Sequence, residues 1–116
     1  MKEIDLAEIE QYIKALHCDI RWIIIEFLRN GPKTSDEIFQ YLTNESDKLK
    51  DKIKNCKGKC NGTIKRKLNK PALYYHLREL EGVGIIQLDE FKPSEHGRAP
   101  EKVWKLNIDK LIINLK

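Results

Sequence analysis

The stretch Lys70-Pro-Ala-Leu-Tyr-Tyr-His-Leu-Arg-Glu-Leu80 decides the fold predicted for this chain. Leu73, Leu77 and Leu80 recur at steps of four and three residues, which is the spacing of one face of an α-helix. Pro71 suits the first turn of such a helix, because its missing N–H costs nothing there. The sequence therefore predicts a short amphipathic helix whose leucines face a core.

The opposite face of this helix is unusual for a plain solvent-exposed surface. It presents Tyr75 and Arg78, with Tyr74 and His76 on its flanks. Tyrosine, histidine and arginine offer stacking and hydrogen-bonding groups, which a helix uses when it lies in a nucleic-acid groove. The helix is therefore a candidate for contact with nucleic acid.

Positive charge is concentrated directly before this helix. Ten Lys or Arg and one acid lie between Lys48 and Lys70, whereas the rest of the chain has twelve basic and seventeen acidic residues. Such a run is typical of a segment that contacts phosphates. A solvated lysine-rich loop is the alternative interpretation.

Length and composition limit the class of protein. The 116 residues predict one domain, 1–116, with a modest core that would benefit from burial in an oligomer. Charged residues make up 34% of the chain, so no apolar stretch is long enough to span a membrane. The first residues lack the features of a secretory signal, and three cysteines fit a secreted disulfide scaffold poorly. We therefore expect a cytoplasmic protein.

Two helices are predicted before the central stretch. Between Ile4 and Leu16 a narrow apolar seam favours helix-on-helix packing, either against the protein's own core or against a partner. A second, strongly patterned helix is expected to begin at Asp19 as the N-cap and to end at Gly31-Pro32. Its apolar stripe consists of Ile20, Ile23, Ile24, Phe27 and Leu28.

A third helix is predicted from the capping-box pattern Thr34-Ser-Asp-Glu37. It either continues to about Lys54 or is interrupted near Thr43-Asn44, because Leu49 and Ile53 keep its apolar phase. Glycine and asparagine predict a loop at 55–62, so we expect a basic, cysteine-containing insertion at about 44–68.

The last third of the chain predicts a β-hairpin and a short helix. Strand-forming residues occupy 85–91 and 102–106, and the polar, turn-forming segment between them contains His96 and Arg98. A C-terminal helix is predicted because Ile108, Leu111, Ile112 and Leu115 fall on one helical face.

This order of elements resembles the ArsR-like winged helix-turn-helix transcriptional regulators, notably the archaeal ones. Three segments carry the resemblance: Leu16 to Pro32, Leu73 to Ile86 and His96 to Leu106. The resemblance implies an α+β, mostly α fold, namely a winged helix-turn-helix with a two-stranded β-hairpin wing and terminal dimerisation helices. It also implies a homodimer on double-stranded DNA, with the recognition helix (about 70–82) in the major groove and the wing (about 92–102) at the minor groove.

The resemblance assigns roles to particular residues. Ala72, Tyr74, Tyr75 and Arg78 would face the groove, and Arg98 would be the contact at the tip of the wing. With the basic residues nearby, the predicted DNA-binding set is Lys65, Arg66, Lys67, Lys70, Ala72, Tyr74, Tyr75, Arg78, His96 and Arg98. The predicted dimer interface is Leu6, Ile9, Ile13, Leu16, Ile108, Leu111, Ile112 and Leu115.

The chain also departs from the family. The connection between Ile38 and Leu73 is roughly twenty residues longer than a usual helix-turn-helix, and the third helix lacks the paired cysteines of metal-sensing members. Cys56 and Cys60 leave three interpretations open: a local disulfide, half of a zinc site, or two inert thiols.

Function is predicted from these features as sequence-specific DNA binding by a transcriptional regulator, a repressor, with no cofactor and no metal. We find no nucleophile–base pair, phosphate-binding glycine loop or paired-histidine metal motif, so an enzyme is not expected. The alternatives are a winged-helix protein–protein adaptor and a redox- or metal-responsive regulator switched through Cys56 and Cys60.

Overall fold

The structure, a computed structural model, describes residues 1–44, 69–93 and 100–116. Its described helices are α1 (Ile9–Leu16), α2 (Asp19–Leu28), α3 (Ser35–Asn44) and α4 (Lys70–Gly82), and a short 3-10 turn spans Leu6–Glu8. Its described strands are β1 (Lys2–Asp5), β2 (Lys33–Thr34), β3 (Ile86–Lys92), β4 (Glu101–Leu106) and β5 (Leu111–Asn114). The fold is therefore α+β, as predicted.

The predicted central helix is confirmed as α4. Asn69 caps its start, because the Asn69 side chain accepts a hydrogen bond of 2.8 Å from the N–H of Ala72. Pro71 lies in the first turn, as expected. After the helix, Gly84 adopts φ +78°, a conformation that favours glycine, and this turn leads the chain into β3.

The capping box at the start of α3 is also confirmed. The N–H of Glu37 donates to Thr34 Oγ1, and the N–H of Thr34 donates to Glu37 Oε1, both at 3.0 Å. Helix α2 begins one residue earlier than predicted, since Cys18 is its N-cap and Asp19 its first residue. Gly31, after the end of α2, has φ +123°, which accounts for a glycine at this position.

A three-stranded antiparallel sheet in the order β2-β4-β3 joins distant parts of the chain. Strands β3 and β4 are the two strands predicted for the hairpin, and their register shifts between Leu88 and Glu90. Trp104 on β4 is buried, and its Nε1–H donates to Ser35 Oγ at 2.8 Å. This bond connects the sheet to the first residue of α3.

At the chain termini, the N-terminal helix is shorter than predicted and the prediction of a C-terminal helix is wrong. Residues Ile4 to Leu16 do not form one helix, because β1 and a 3-10 turn precede α1. The segment expected as a C-terminal helix contains β5, which pairs parallel with β1 and aligns Ile4 with Ile113. Consecutive isoleucines favour a strand, and the partner strand outweighs the weak helical pattern of so short a segment. The predicted pair of terminal dimerisation helices is therefore not present in the described residues.

The core lies between α2, α4 and the three-stranded sheet. Ile20, Ile23, Ile24 and Leu28 of α2 and Leu73, Leu77 and Leu80 of α4 are all buried, together with Ile86 and Trp104 of the sheet. Phe27 is half-buried and stacks on Tyr41 of α3, with ring centroids 4.1 Å apart. The apolar periodicities of α2 and α4 thus identified most of the core.

Within the described residues, no helix combines the length and the apolar character that crossing a membrane requires.

Candidate nucleic-acid interface

Helix α4 presents three large polar side chains on its exposed side. Tyr74 and Tyr75 are 45% and 47% exposed, and Arg78, one turn further along, is exposed as well. The buried side of the same helix supplies Leu73 and Leu77 to the core. Because the leucines fix the rotation of α4, they also determine that these polar side chains point outward.

A groove of about 660 Å³ lies between the first turns of α3, the outer side of α4 and strand β4. Phe39, Leu73 and Trp104 supply apolar lining, and Tyr74 contributes an aromatic side chain. Lys70, the first residue of α4, lies across the groove from α3, with its Nζ 4.0 Å from Asp36 Oδ1 and 5.7 Å from the centre of the Phe39 ring. Aromatic and polar groups therefore line one continuous concave surface.

The charges around this groove are balanced. Lys70, Arg78 and Lys102 are basic, whereas Asp36, Glu81 and Glu101 are acidic. The described residues as a whole contain twelve Lys or Arg and fourteen Asp or Glu, while residues 45–68 contain nine basic and three acidic residues. The groove by itself does not attract a polyanion, so any strong attraction to phosphate must come from residues 45–68.

The structure places the predicted DNA-binding residues in three groups. Lys70, Tyr74, Tyr75 and Arg78 share the exposed side of α4, as predicted for that helix. Ala72 is only 8% exposed and belongs to the core, so it does not lie on the exposed side of α4 where it was predicted. Its neighbour Leu73 is fully packed, and the two side chains share the inner side of the helix. Lys65, Arg66, Lys67, His96 and Arg98 lie outside the described residues, as do Cys56 and Cys60.

A buried pair of polar side chains lies against Tyr75. His76 of α4 is fully buried, and its Nδ1 accepts a hydrogen bond of 3.1 Å from Nε of Arg21 on α2. Nδ1 is the acceptor, so the proton of the neutral imidazole is on Nε2. Nε2 has no hydrogen-bond partner among the described residues. His76 was predicted on the flank of the outward face of the helix, and its complete burial shows that this position is wrong.

Arg21 is the residue that the sequence interpretation overlooked. It is 5% exposed, and its Nη1 donates to the carbonyl oxygens of Lys14 at 2.8 Å and Ala15 at 3.0 Å. These carbonyls belong to the last turn of α1, where the regular N–H partners of a helix are missing. The Lys14 carbonyl also accepts a longer bond of 3.5 Å from the N–H of His17. Arg21 precedes Ile24 and Leu28 by three and seven residues, so it shares their buried face. This helical spacing is the feature of the sequence from which the burial of Arg21 could have been predicted.

Burial is the main cause of a low pKa at His76. Together with the nearby Arg21 guanidinium, it lowers the pKa of His76 from 6.5 to about 4. The imidazole is therefore neutral at pH 7, as an acceptor of the Arg21 bond must be.

The pKa of His76 predicts a loss of stability on acidification. The unfolded chain binds a proton at His76 more readily than the folded protein does. The contribution of His76 to stability is therefore fully present above pH 6.5 and is lost as the pH falls to about 4. The expected loss is roughly 3 kcal/mol in the free energy of unfolding. Urea denaturation at pH 7.5 and 4.5 measures it for the wild type, for His76→Gln and for His17→Gln, an exposed control. An equal pH dependence in all three proteins would contradict the prediction.

A second surface, formed by the terminal elements, is largely apolar. One hollow of about 450 Å³ is lined mainly by apolar residues, among them Trp22, Ile25 and Ile108. A neighbouring hollow of about 280 Å³ is lined by Ile9 and Ile13 among others. Leu16 and Leu111 line both hollows, so the two form one continuous face. We call it the terminal face.

The residues predicted for a dimer interface are distributed around the terminal face. Ile9, Leu16, Ile108 and Leu111 are half-buried and line it, and Ile13 lines it with 56% of its surface exposed. Leu6 and Leu115 are 57% and 71% exposed, and Ile112 is half-buried in β5; none of these three lines either hollow. Trp22, which the sequence interpretation did not assign to this interface, is 51% exposed there.

In the parts of the chain that the structure describes, no group of three His, Cys, Asp or Glu side chains comes together. Cys18 is buried at the start of α2.

Comparisons with protein families, with curated proteins and with solved structures found no match to this chain. Function must therefore be inferred from the chain's own residues.

Proposed function

We propose that this protein is a winged helix-turn-helix regulator that binds double-stranded DNA as a homodimer, with α4 in the major groove. The observation that carries the proposal is the exposed group Tyr74, Tyr75 and Arg78 on a helix that follows nine basic residues in the sequence. Arginine and tyrosine on such a helix contact base edges and phosphates, and the basic segment supplies the attraction to the backbone.

The arrangement of the other elements supports the same proposal. The order α2, β2, α3, α4, β3 and β4, with the three strands in one antiparallel sheet, is the order that a winged helix-turn-helix requires. In it α3 and α4 are the two helices of the motif, residues 45–68 come between them in the sequence, and β3 and β4 form the wing. The protein would act as a repressor by occupying its operator.

Arg78→Ala is expected to weaken binding to a specific duplex by about 1–3 kcal/mol and to relax the sequence preference. The reason is that arginine reads base edges through paired hydrogen bonds that alanine cannot make. Lys14→Ala is the control, because Lys14 is an exposed basic residue of α1 that lines neither the groove nor the terminal face. Mobility shifts with a duplex selected from a random library by the wild-type protein, and with random duplex, measure both effects. Equal losses of affinity for the two duplexes would show that Arg78 does not recognise the base sequence.

The proposed homodimer uses the terminal face. A second copy of the chain suits this surface. Charged residues of both signs border its apolar hollows, namely the basic Arg29 and Lys110 and the acidic Asp109. Two copies related by a two-fold axis could therefore bring opposite charges together. An exposed apolar surface of this kind is typical of an association site.

Ile13→Asp is expected to shift the protein from dimer to monomer, because the interface would bury an unpaired carboxylate. Phe91→Asp is the matched control, since Phe91 on β3 is 57% exposed and Ile13 is 56% exposed. Sedimentation velocity at micromolar concentration measures the change. A wild-type protein that sediments as a monomer, or a dimer unaffected by Ile13→Asp, would exclude the terminal face.

A protein–protein adaptor is the second candidate function. The balanced charges of the α4 groove favour it, because a DNA-binding groove normally carries an excess of basic residues. The adaptor predicts that folded protein fails to bind any duplex even at low salt, which the same mobility shifts would reveal.

A further inference from the structure

The side chain of Arg21 is held by three hydrogen bonds inside the protein. Its Nε donates to His76 Nδ1 at 3.1 Å, and its Nη1 donates to the carbonyl oxygens of Lys14 and Ala15 at 2.8 and 3.0 Å. A planar guanidinium that is bonded on two of its nitrogens cannot rotate. Arg21 is also 5% exposed, so it does not reach a ligand in solvent itself.

The fixed guanidinium lies over the ring of Tyr75. Cζ of Arg21 lies 5.4 Å from the centre of the Tyr75 ring, within the range of a cation–π contact. The edge of the same ring contacts the His76 imidazole, with centroids 5.8 Å apart and planes at 60°. Tyr75 nevertheless remains 47% exposed on α4. The ring is therefore held from below by two buried side chains and exposed to solvent above them.

We propose that Arg21 is a positioning residue, which fixes the ring of Tyr75 on the exposed side of α4 and thereby sets the sequence preference of DNA binding. The inference rests on the proposed function. A side chain that is held in its bound orientation loses less freedom on binding, and only a fixed ring can distinguish one base step from another. Lysine in place of Arg21 keeps the charge but loses the planar, forked geometry that all these contacts use.

The test compares Arg21→Lys, Tyr75→Ala and the double variant with the wild type. Each protein is first checked for folding by circular dichroism, and its Kd is then measured at fixed salt for two duplexes. One duplex is selected from a random library by the wild-type protein, and the other is random. The readout is the Kd for the random duplex divided by the Kd for the selected duplex. A general loss of affinity or of folded protein does not change this ratio.

We expect Arg21→Lys to reduce this ratio by roughly three- to tenfold and to leave the Kd for random duplex within about twofold of the wild type. In the Tyr75→Ala background the same change is expected to have no further effect on the ratio, because its target is absent. An unchanged ratio in Arg21→Lys, or the same reduction with and without Tyr75, would overturn the proposal. A wild type that binds no duplex would instead overturn the proposed function, and this inference with it.

A second measurement applies if Arg21→Lys does not fold. In 15N-labelled wild-type protein, the Nε–H signal of Arg21 is expected to shift on saturation with the selected duplex and to remain in place with random duplex. The signal reports on Arg21 because the Nε–H is held in the bond to His76. Identical spectra with the two duplexes would overturn the proposal.

Discussion

Replacing Lys65, Arg66 and Lys67 with glutamine is expected to weaken binding to random duplex DNA by roughly 100-fold at 50 mM salt. These residues belong to the basic run that precedes α4 in the sequence. The described residues contain more acidic than basic side chains, so the attraction to phosphate must depend on this run. Each phosphate contact contributes about 0.9 to the slope of log Kd against log salt, so the slope should become shallower by roughly 2.7.

A salt titration of Kd from 50 to 200 mM measures this slope. The matched control is a triple glutamine variant at Lys2, Lys14 and Lys116, all exposed, which lowers the net charge of the chain from +4 by the same three units. We expect the control to keep nearly the wild-type slope. If both triple variants lose affinity equally, the net charge of the whole protein determines binding, and the basic run has no special role.

Leu77→Ala is expected to lower the free energy of unfolding by about 2–5 kcal/mol. Leu77 is 1% exposed on the buried side of α4, in the core that also contains Ile24 and Trp104. Removing its methyl groups forfeits their burial and leaves a cavity that the surrounding helices and sheet cannot fully close. This is a large fraction of the roughly 5–15 kcal/mol that stabilises a typical domain.

Urea denaturation at pH 7.5 measures the loss. Tyr74→Ala on the same helix is the matched control, because Tyr74 is 45% exposed and α4 loses a large side chain in both variants. We expect Tyr74→Ala to cost less than about 1 kcal/mol. Similar losses of stability in the two variants would contradict the assignment of Leu77 to the buried side of α4. The exposed position of Tyr75 and Arg78 depends on the same assignment.

The two helices at the centre of the fold were predictable because local and tertiary preferences agree there. Leu73, Leu77 and Leu80 repeat at helical spacing, and Gly31 and Pro71 mark helix boundaries that the structure contains. Agreement of this kind between local pattern and tertiary packing is what allows a sequence to be interpreted without a structure. The exposed positions of Tyr74, Tyr75 and Arg78 followed directly from the same periodicity.

Within the candidate site, the predictions failed where a position was decided by the neighbouring element. Ala72 and His76 lie near the boundary between the two sides of α4, and packing in the folded core buries both. Arg21 was missed for a related reason, since arginine is normally a surface residue. Only its three bonds, to α4 and to the end of α1, make its burial possible.

The sequence by itself determined the α+β class, the helices α2 to α4, the strands β3 and β4, and the outward side of α4. These features depend on periodicity, capping and turn residues, which act between residues a few positions apart. Tertiary structure alone decided that β1 and β5 pair at the termini and that Arg21 meets His76 beneath Tyr75. These contacts join residues that are far apart in the chain, and no local pattern specifies which distant segment will satisfy a strand edge or a buried guanidinium.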